Sequence, residues 1–187
     1  MFVEFDKKMN WSVFSYFLQN PTTELHVREL SRRIGINHQS VNTSLKWMEE
    51  NGLVSKNQVG NLHIYKLNND ANIVKFFKIT YINMLLDDAK FLDTLQKIDP
   101  DIISIVLYGS CATGTYDEKS DIDIILISSK KIDAFQGELD RIEKVTGFPI
   151  NIEIFTLTAW KKLAMKGDVF YKEVVRNHFI LYGSGIE

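Results

Sequence analysis

Leu107–Ile127 reads LYGSCATGTYDEKSDIDIILI. A Gly-Ser turn at Gly109-Ser110 is followed, one loop later, by Asp121 and Asp123 inside an apolar run. Side chains at i and i+2 of a strand point to the same face. Asp121 and Asp123 are therefore expected to project together, with Ile122, Ile124 and Leu126 turned the other way into a core. Paired carboxylates repel unless a cation lies between them, and hard divalent cations share oxygen ligands readily with phosphates. The Gly-Ser turn leaves backbone N–H groups to face an anion. Metal-assisted phosphoryl or nucleotidyl transfer uses both features. An Asp-x-Asp could also be an ordinary solvent-facing strand edge. The apolar flanks Ile122, Ile124, Ile125, Leu126 and Ile127 argue instead for a central strand, where carboxylates are uncommon without a use.

Further on, Pro149–Phe155 (PINIEIF) alternates apolar and polar residues as a half-buried strand does, and it carries Glu153. Gly109-Ser110, then Ser120-Asp121-Ile122-Asp123-Ile124, then Glu153 resembles the signature of the DNA polymerase β-like nucleotidyltransferase superfamily, above all its small, minimal members. The resemblance runs from Asp101 to the C-terminus. It implies that Gly109, Ser110 and Ser120 bind a nucleoside triphosphate, ATP in the first instance. It also implies that Asp121, Asp123 and Glu153 hold Mg²⁺ or Mn²⁺ and carry the catalysis, which moves a nucleoside monophosphate to an acceptor. Two residues depart from the pattern. Glu153 stands where many relatives use Asp, and Thr113 stands where many minimal members have Arg. Larger relatives grip the base and the acceptor with an added domain, a role that would here fall to the N-terminal half or a partner subunit.

The rest of the C-terminal half is read around that site. Asp101–Tyr108 is expected to be the strand that delivers the Gly-Ser turn, and Ala112–Tyr116 a helix or turn behind it. Asp133–Val145 reads as an amphipathic helix, and Thr158–Tyr182 as a helical tail whose Trp160, Leu163, Val169 and Val174 or Val175 cover the sheet. Cys111, beside the turn, reads as a small residue in a tight loop.

Upstream, Thr22–Leu67 reads as a winged helix-turn-helix. Val27–Ile34 has a helical apolar face, and Gly35 ends it. A second helix begins near Asn37 or His38, turns Val41, Leu45 and Met48 inward, and stops at Asn51-Gly52. Leu53–Lys56 and Leu62–Leu67 read as two strands joined at Gly60-Asn61. The order resembles bacterial and archaeal transcription-regulator winged helices. Its second helix would present His38, Gln39, Ser40, Asn42, Thr43 and Lys46 to a DNA major groove, with Arg32 and Arg33 on backbone phosphates. A protein-docking or dimerisation role suits the same exposed polar face. Trp11–Leu18 is expected to be a first helix of this domain.

From Ile73 to Ile98 there is neither Gly nor Pro, and apolar residues recur with helical spacing. One helix of about 26 residues and roughly 39 Å is expected, joining the domains, packing on the C-terminal one, or pairing in a homodimer. The expected fold is thus α+β: a winged helix-turn-helix over residues 1–70, a long connecting helix over 71–99, and a nucleotidyltransferase domain with a mixed sheet flanked by helices over 100–187.

Composition bounds these readings. The 187 residues carry a formal net charge of −2, and 45% are hydrophobic, as in an ordinary globular protein. The single cysteine rules out an internal disulfide framework and suits a reducing compartment. No apolar run has membrane-spanning length, so no membrane partner and a cytoplasmic location are expected. Two function classes remain. One is an enzyme that transfers AMP or another nucleotide to a protein, nucleic acid or small molecule, with a toxin encoded beside it as a candidate acceptor. The other is a DNA-binding transcriptional regulator or antitoxin-like protein whose nucleotidyltransferase domain only senses nucleotide.

Overall fold

The computed structural model describes residues 8–187; residues 1–7 of the expected first domain lie outside them. The chain divides into two compact units, one running to Tyr81 and the other from Ile82 to Glu187.

In the first unit, α1 (Lys8–Gln19) buries Val13, Phe14, Phe17 and Leu18. Phe14 meets Phe77 edge-to-face at 5.1 Å, so the aromatic run upstream is core material. After the two-residue strand β1 (Leu25–His26) comes α2 (Val27–Ile34). The His26 ring accepts the Glu29 N–H at its start, and Gly35, at φ +70°, ends it. Next, α3 (His38–Glu50) is capped by Asn37, whose Oδ1 accepts the Ser40 N–H at 2.9 Å. Its Val41, Leu45 and Met48 are fully buried, as their spacing predicts. Strands β2 (Val54–Val59) and β3 (Leu62–Leu67) pair antiparallel across Gly60-Asn61, and the sheet order is β1-β3-β2. Gly60 takes φ +57°, the left-handed first position that a tight hairpin turn needs. The first strand of this hairpin lies at Val54–Val59 rather than Leu53–Lys56, because its pairing follows β3 out to the turn.

The expected single helix from Ile73 to Ile98 is corrected. The structure has α4 (Asn72–Asp88) and α5 (Phe91–Ile98), broken at Ala89-Lys90 with Lys90 at φ 56°. The break lets Leu86, Ala89, Phe91 and Leu95 enter one core. A straight helix holds each face in one direction and could not fold back this way. The unit boundary, between Tyr81 and Ile82, falls within α4.

The second unit is built on a four-stranded mixed sheet ordered β6-β5-β4-β7. Its strands are β4 (Ser104–Tyr108), β5 (Ile122–Ile127), β6 (Ile150–Phe155) and β7 (His178–Gly183). β5 and β6 run parallel, while β4 is antiparallel to both β5 and β7. Ile105, Leu107, Ile122, Ile124 and Leu126 point into a core with Leu86, Phe91 and Leu95, and with Leu139 and Ile142 of α7 (Gln136–Thr146). Val106, Ile125 and Ile127 face the opposite side, toward Trp160 of α8 (Leu157–Lys166) and Val174 of α9 (Val169–Arg176). Burial on both faces explains the largely apolar runs of β4 and β5, which only Ser104 and Asp123 interrupt.

The tail requires a second correction. Only Leu157–Lys166 and Val169–Arg176 are helical, separated at Gly167-Asp168; His178–Gly183 is a strand that pairs with β4. An apolar run this short has the same appearance in a helix and in a strand. What decides it is the otherwise unpaired edge of β4.

Candidate active site

β4 ends at Tyr108, and the chain turns there into the five-residue helix α6 (Gly109–Thr113). That helix opens on the Gly-Ser pair itself, earlier than the expected Ala112. Gly109 has φ +70°, and a Cβ there would stand 2.6 Å from Asp123 Oδ2. The turn and the carboxylate are therefore in direct apposition, and only glycine permits both the conformation and the approach. Cys111 is fully buried and donates its S–H to the Asp121 carbonyl at 3.3 Å, which ties the turn to the start of β5.

The strand pairing places the carboxylates. Tyr108 lies opposite Asp123, and Asp123 lies beside Asn151 of the parallel neighbour. Paired residues share a face, so Tyr108, Asp123 and Asn151 project together on the α8/α9 side. Glu153 is on the same face beside Ile125, one side-chain repeat, about 7 Å, along the strand. Asp121 is exposed and precedes β5, which begins at Ile122.

Each carboxylate has defined neighbours. Asp123 is half-buried, and its Oδ1 accepts a bond from Asn151 Nδ2 at 3.1 Å. Burial pushes the Asp123 carboxyl above its ordinary range; the Asn151 bond opposes this, and the charge of Asp121 adds to it. Glu153 Oε1 accepts a bond from the Tyr108 hydroxyl at 3.4 Å. Burial, then the charges of Glu153 and Asp123, push Tyr108 upward, so it stays a neutral donor. Among the described residues, no three His, Cys, Asp or Glu side chains converge closely enough to hold one ion.

A cleft of about 450 Å³ opens over this face, lined by Tyr108, Gly109, Ser110, Thr113, Thr115 and Asp123 on the sheet side. Phe170, Glu173, Val174 and Asn177 form the α9 side. Of the expected nucleotide and metal residues, Gly109, Ser110 and Asp123 line it, whereas Asp121, Glu153 and Ser120 do not. Ser120 closes its own loop: its hydroxyl accepts the Asp117 N–H at 2.9 Å and donates to Asp117 Oδ1 at 3.0 Å. Asn151, Tyr108 and Glu173 are neighbours that the sequence reading did not single out. Asn151 could have been found by aligning the two strands in parallel; Glu173 lies on a helix whose placement no local pattern reveals.

On the first unit, His38, Gln39, Thr43 and Lys46 are exposed on α3, while Ser40 and Asn42 are half-exposed. Arg32 is exposed and lines an open concavity with His26, Arg28, Ser31 and His38. Arg33 is exposed but engaged: its guanidinium donates to Tyr16 Oη and to Glu29 Oε1, each at 2.6 Å.

Residues 89–181 match the family described as "Nucleotidyltransferase domain". The second unit thus carries a nucleotidyltransferase domain, and the enzyme class expected from the sequence is the one found. The comparison with curated proteins returned no match. Among solved structures, a toxin–antitoxin with AMP-PNP is 21% identical at a TM-score of 0.38, covering 51% of this chain and 72% of that one. A tri-AMPylated Shewanella oneidensis HEPN toxin in complex with MNT antitoxin is 16% identical, with a TM-score of 0.35 and coverages of 53% and 71%. A mutant of the toxin–antitoxin MntA–HpeT is 18% identical, with a TM-score of 0.37 and coverages of 51% and 72%. Among the described residues, no helix is long and apolar enough to cross a membrane.

Proposed function

We propose that the protein is a metal-dependent nucleotidyltransferase that moves AMP from ATP to an acceptor hydroxyl on a partner protein, such as a cognate toxin. The observation that carries this reading is the contact between the Gly109 turn and Asp123 on one wall of the cleft. It puts a phosphate-accommodating backbone and a carboxylate within reach of the same ligand atoms. The acceptor oxygen attacks the α-phosphorus, the α–β phosphoanhydride bond breaks, and pyrophosphate leaves with the electron pair. The acceptor proton passes to a carboxylate or to water.

The donor set fits Mg²⁺ or Mn²⁺. Asp121 and Asp123 feel each other's charge, and Mg²⁺ is commonly held by one or two carboxylates together with substrate phosphates. The described cleft lining carries Asp123 and Glu173 and no cationic side chain, so a polyphosphate needs counter-ions there. Bound metal would lower the pKa of the acceptor hydroxyl and neutralise the leaving pyrophosphate. The chain's own groups position the reactants. Asn151 orients the Asp123 carboxylate, and Tyr108 bonds Glu153 one side-chain repeat along the same face. Ser110 and the turn amides face the triphosphate.

A second reading is favoured by a separate observation. The order α1, β1, α2, α3, β2, β3 with an exposed polar face on α3 supports a winged helix, and Arg28, Arg32, His26 and His38 line an open concavity beside it. In this reading the first unit binds duplex DNA as a cytoplasmic regulator, alone or alongside the transferase activity. Calorimetry with ATP and Mg²⁺ tests the main reading. Binding that requires the metal in the parent and loses that requirement in Asp121→Asn/Asp123→Asn supports it; equal binding by both proteins contradicts it.

A further inference from the structure

We propose, resting on the nucleotidyltransferase reading above, that Glu173 of α9 is the general base of the transfer, the carboxylate that takes the proton of the acceptor hydroxyl. A general base must reach that proton directly or through one water, and it needs a carboxylate oxygen that is not already committed.

The other carboxylates of the site fail one condition or the other. Asp123 lines the cleft, but its Oδ1 accepts from Asn151 and the side chain lies against the Gly109 turn. A carboxylate that shares its oxygens with Mg²⁺ is a weak proton acceptor. Asp121 and Glu153 do not line the cleft, and Glu153 Oε1 already accepts the Tyr108 hydroxyl. Glu173 lines the cleft from the α9 side. It is exposed, and among the described residues no hydrogen bond or ion pair holds its carboxylate. A partner protein must approach from solvent, where Glu173 stands; Asp123 is half-buried.

The fold fixes this position. Asp168 caps α9 by accepting the Phe170 N–H at 2.9 Å. Phe170, Glu173, Val174 and Asn177 fall at i, i+3, i+4 and i+7, one face of the helix, and all four line the cleft. Val174 is fully packed against the sheet with Val106 and Ile125. Phe170 meets Tyr108 edge-to-face at 5.8 Å. These two anchors hold the backbone of Glu173 at the cleft while its side chain stays free to meet an acceptor. The charge of Glu173 reaches the Tyr108 hydroxyl, as do those of Glu153 and Asp123, which places it at the site end of β4. In the step itself, the acceptor O–H gives its proton to Glu173 as its oxygen bonds the α-phosphorus. The α–β bond breaks, pyrophosphate carries away the electron pair, and Glu173 later returns the proton to water.

The test uses the full chain, ATP labelled at the α-phosphate, Mg²⁺ and a lysate as the source of acceptor. Glu173→Gln should lower the transfer rate at least about 100-fold, the scale of a lost general base. Its calorimetric affinity for ATP with Mg²⁺ should equal the parent's. In Glu173→Ala, added formate should restore part of the lost rate, and chloride at the same ionic strength should not. Lys172→Ala, one residue earlier and outside the cleft lining, should transfer like the parent. A Glu173→Gln variant that transfers like the parent overturns the proposal and leaves the nucleotidyltransferase reading standing. Loss of ATP binding in that variant overturns it too, since Glu173 would then hold metal or nucleotide. Failure of formate to rescue the alanine variant counts against it in the same way. A parent that neither binds ATP with Mg²⁺ nor transfers label removes the reading itself, and the proposal with it.

Discussion

Gly109 combines a left-handed backbone with a carboxylate 2.6 Å from where its Cβ would be. Gly109→Ala should therefore destabilise the fold by about 1–3 kcal/mol and weaken nucleotide binding further. Gly137, inside α7 with open space around it, should behave in the opposite sense. Gly137→Ala is expected to stabilise by roughly 0.5–1 kcal/mol, and chemical denaturation of the two variants reads both signs. Asp123 yields a pH prediction. Its carboxyl is raised, first by burial, so the folded state holds that proton more tightly than the unfolded chain. The stabilisation from this group is complete below the ordinary carboxyl range and is lost as pH rises through the elevated folded value. Asp123→Asn removes the charged form, so in metal-free buffer its Tm should exceed the parent's at neutral pH. The gap should close toward acid pH, while nucleotidyl transfer is lost. A neutral-pH Tm below the parent's would contradict the electrostatic account.

Helix α3, its buried stripe and the Gly60-Asn61 hairpin were legible in the sequence because local periodicity and turn chemistry agree there. Glu153 was legible as a strand position because β6 alternates, and Asp123 because apolar residues flank it, whereas Asp121 falls just before β5 begins at Ile122. The break between α4 and α5 was not legible, since Lys90 is neither Gly nor Pro and its left-handed conformation, φ 56°, is imposed by the core that Ala89 and Phe91 enter. β7 escaped the reading for a related reason: the short apolar run Phe179–Tyr182 becomes a strand only because β4 needs a neighbour. The parallel neighbour of Asp123, Asn151, follows from register, which no single strand encodes. At the α4–α5 break, Lys90→Val should destabilise by about 1 kcal/mol or more, because a β-branched residue resists the left-handed region. Lys90→Gly should be neutral or mildly stabilising, since relief of that strain offsets the extra chain entropy. Equal effects in thermal melts would place the strain elsewhere.

The chain carries a nucleotidyltransferase domain and a unit with an exposed polar helix, and each makes its own prediction. If the first unit binds duplex DNA, Arg32→Ala should lower affinity across all sequences and reduce the salt slope by about one. Gln39→Ala should instead cost roughly 1–3 kcal/mol on a preferred sequence only. Arg33→Ala should weaken folding more than DNA binding, because its guanidinium is already held by Tyr16 and Glu29. The catalytic claim is more central, and one experiment addresses it directly. The protein is incubated with ATP labelled at the α-phosphate, with Mg²⁺ and a lysate as the source of acceptor, beside Asp121→Asn/Asp123→Asn. The account predicts that the parent transfers label to a discrete acceptor with release of pyrophosphate, that chelation of the metal stops it, and that the double variant transfers none. Absence of transfer by the parent, or equal labelling by the double variant, would contradict it.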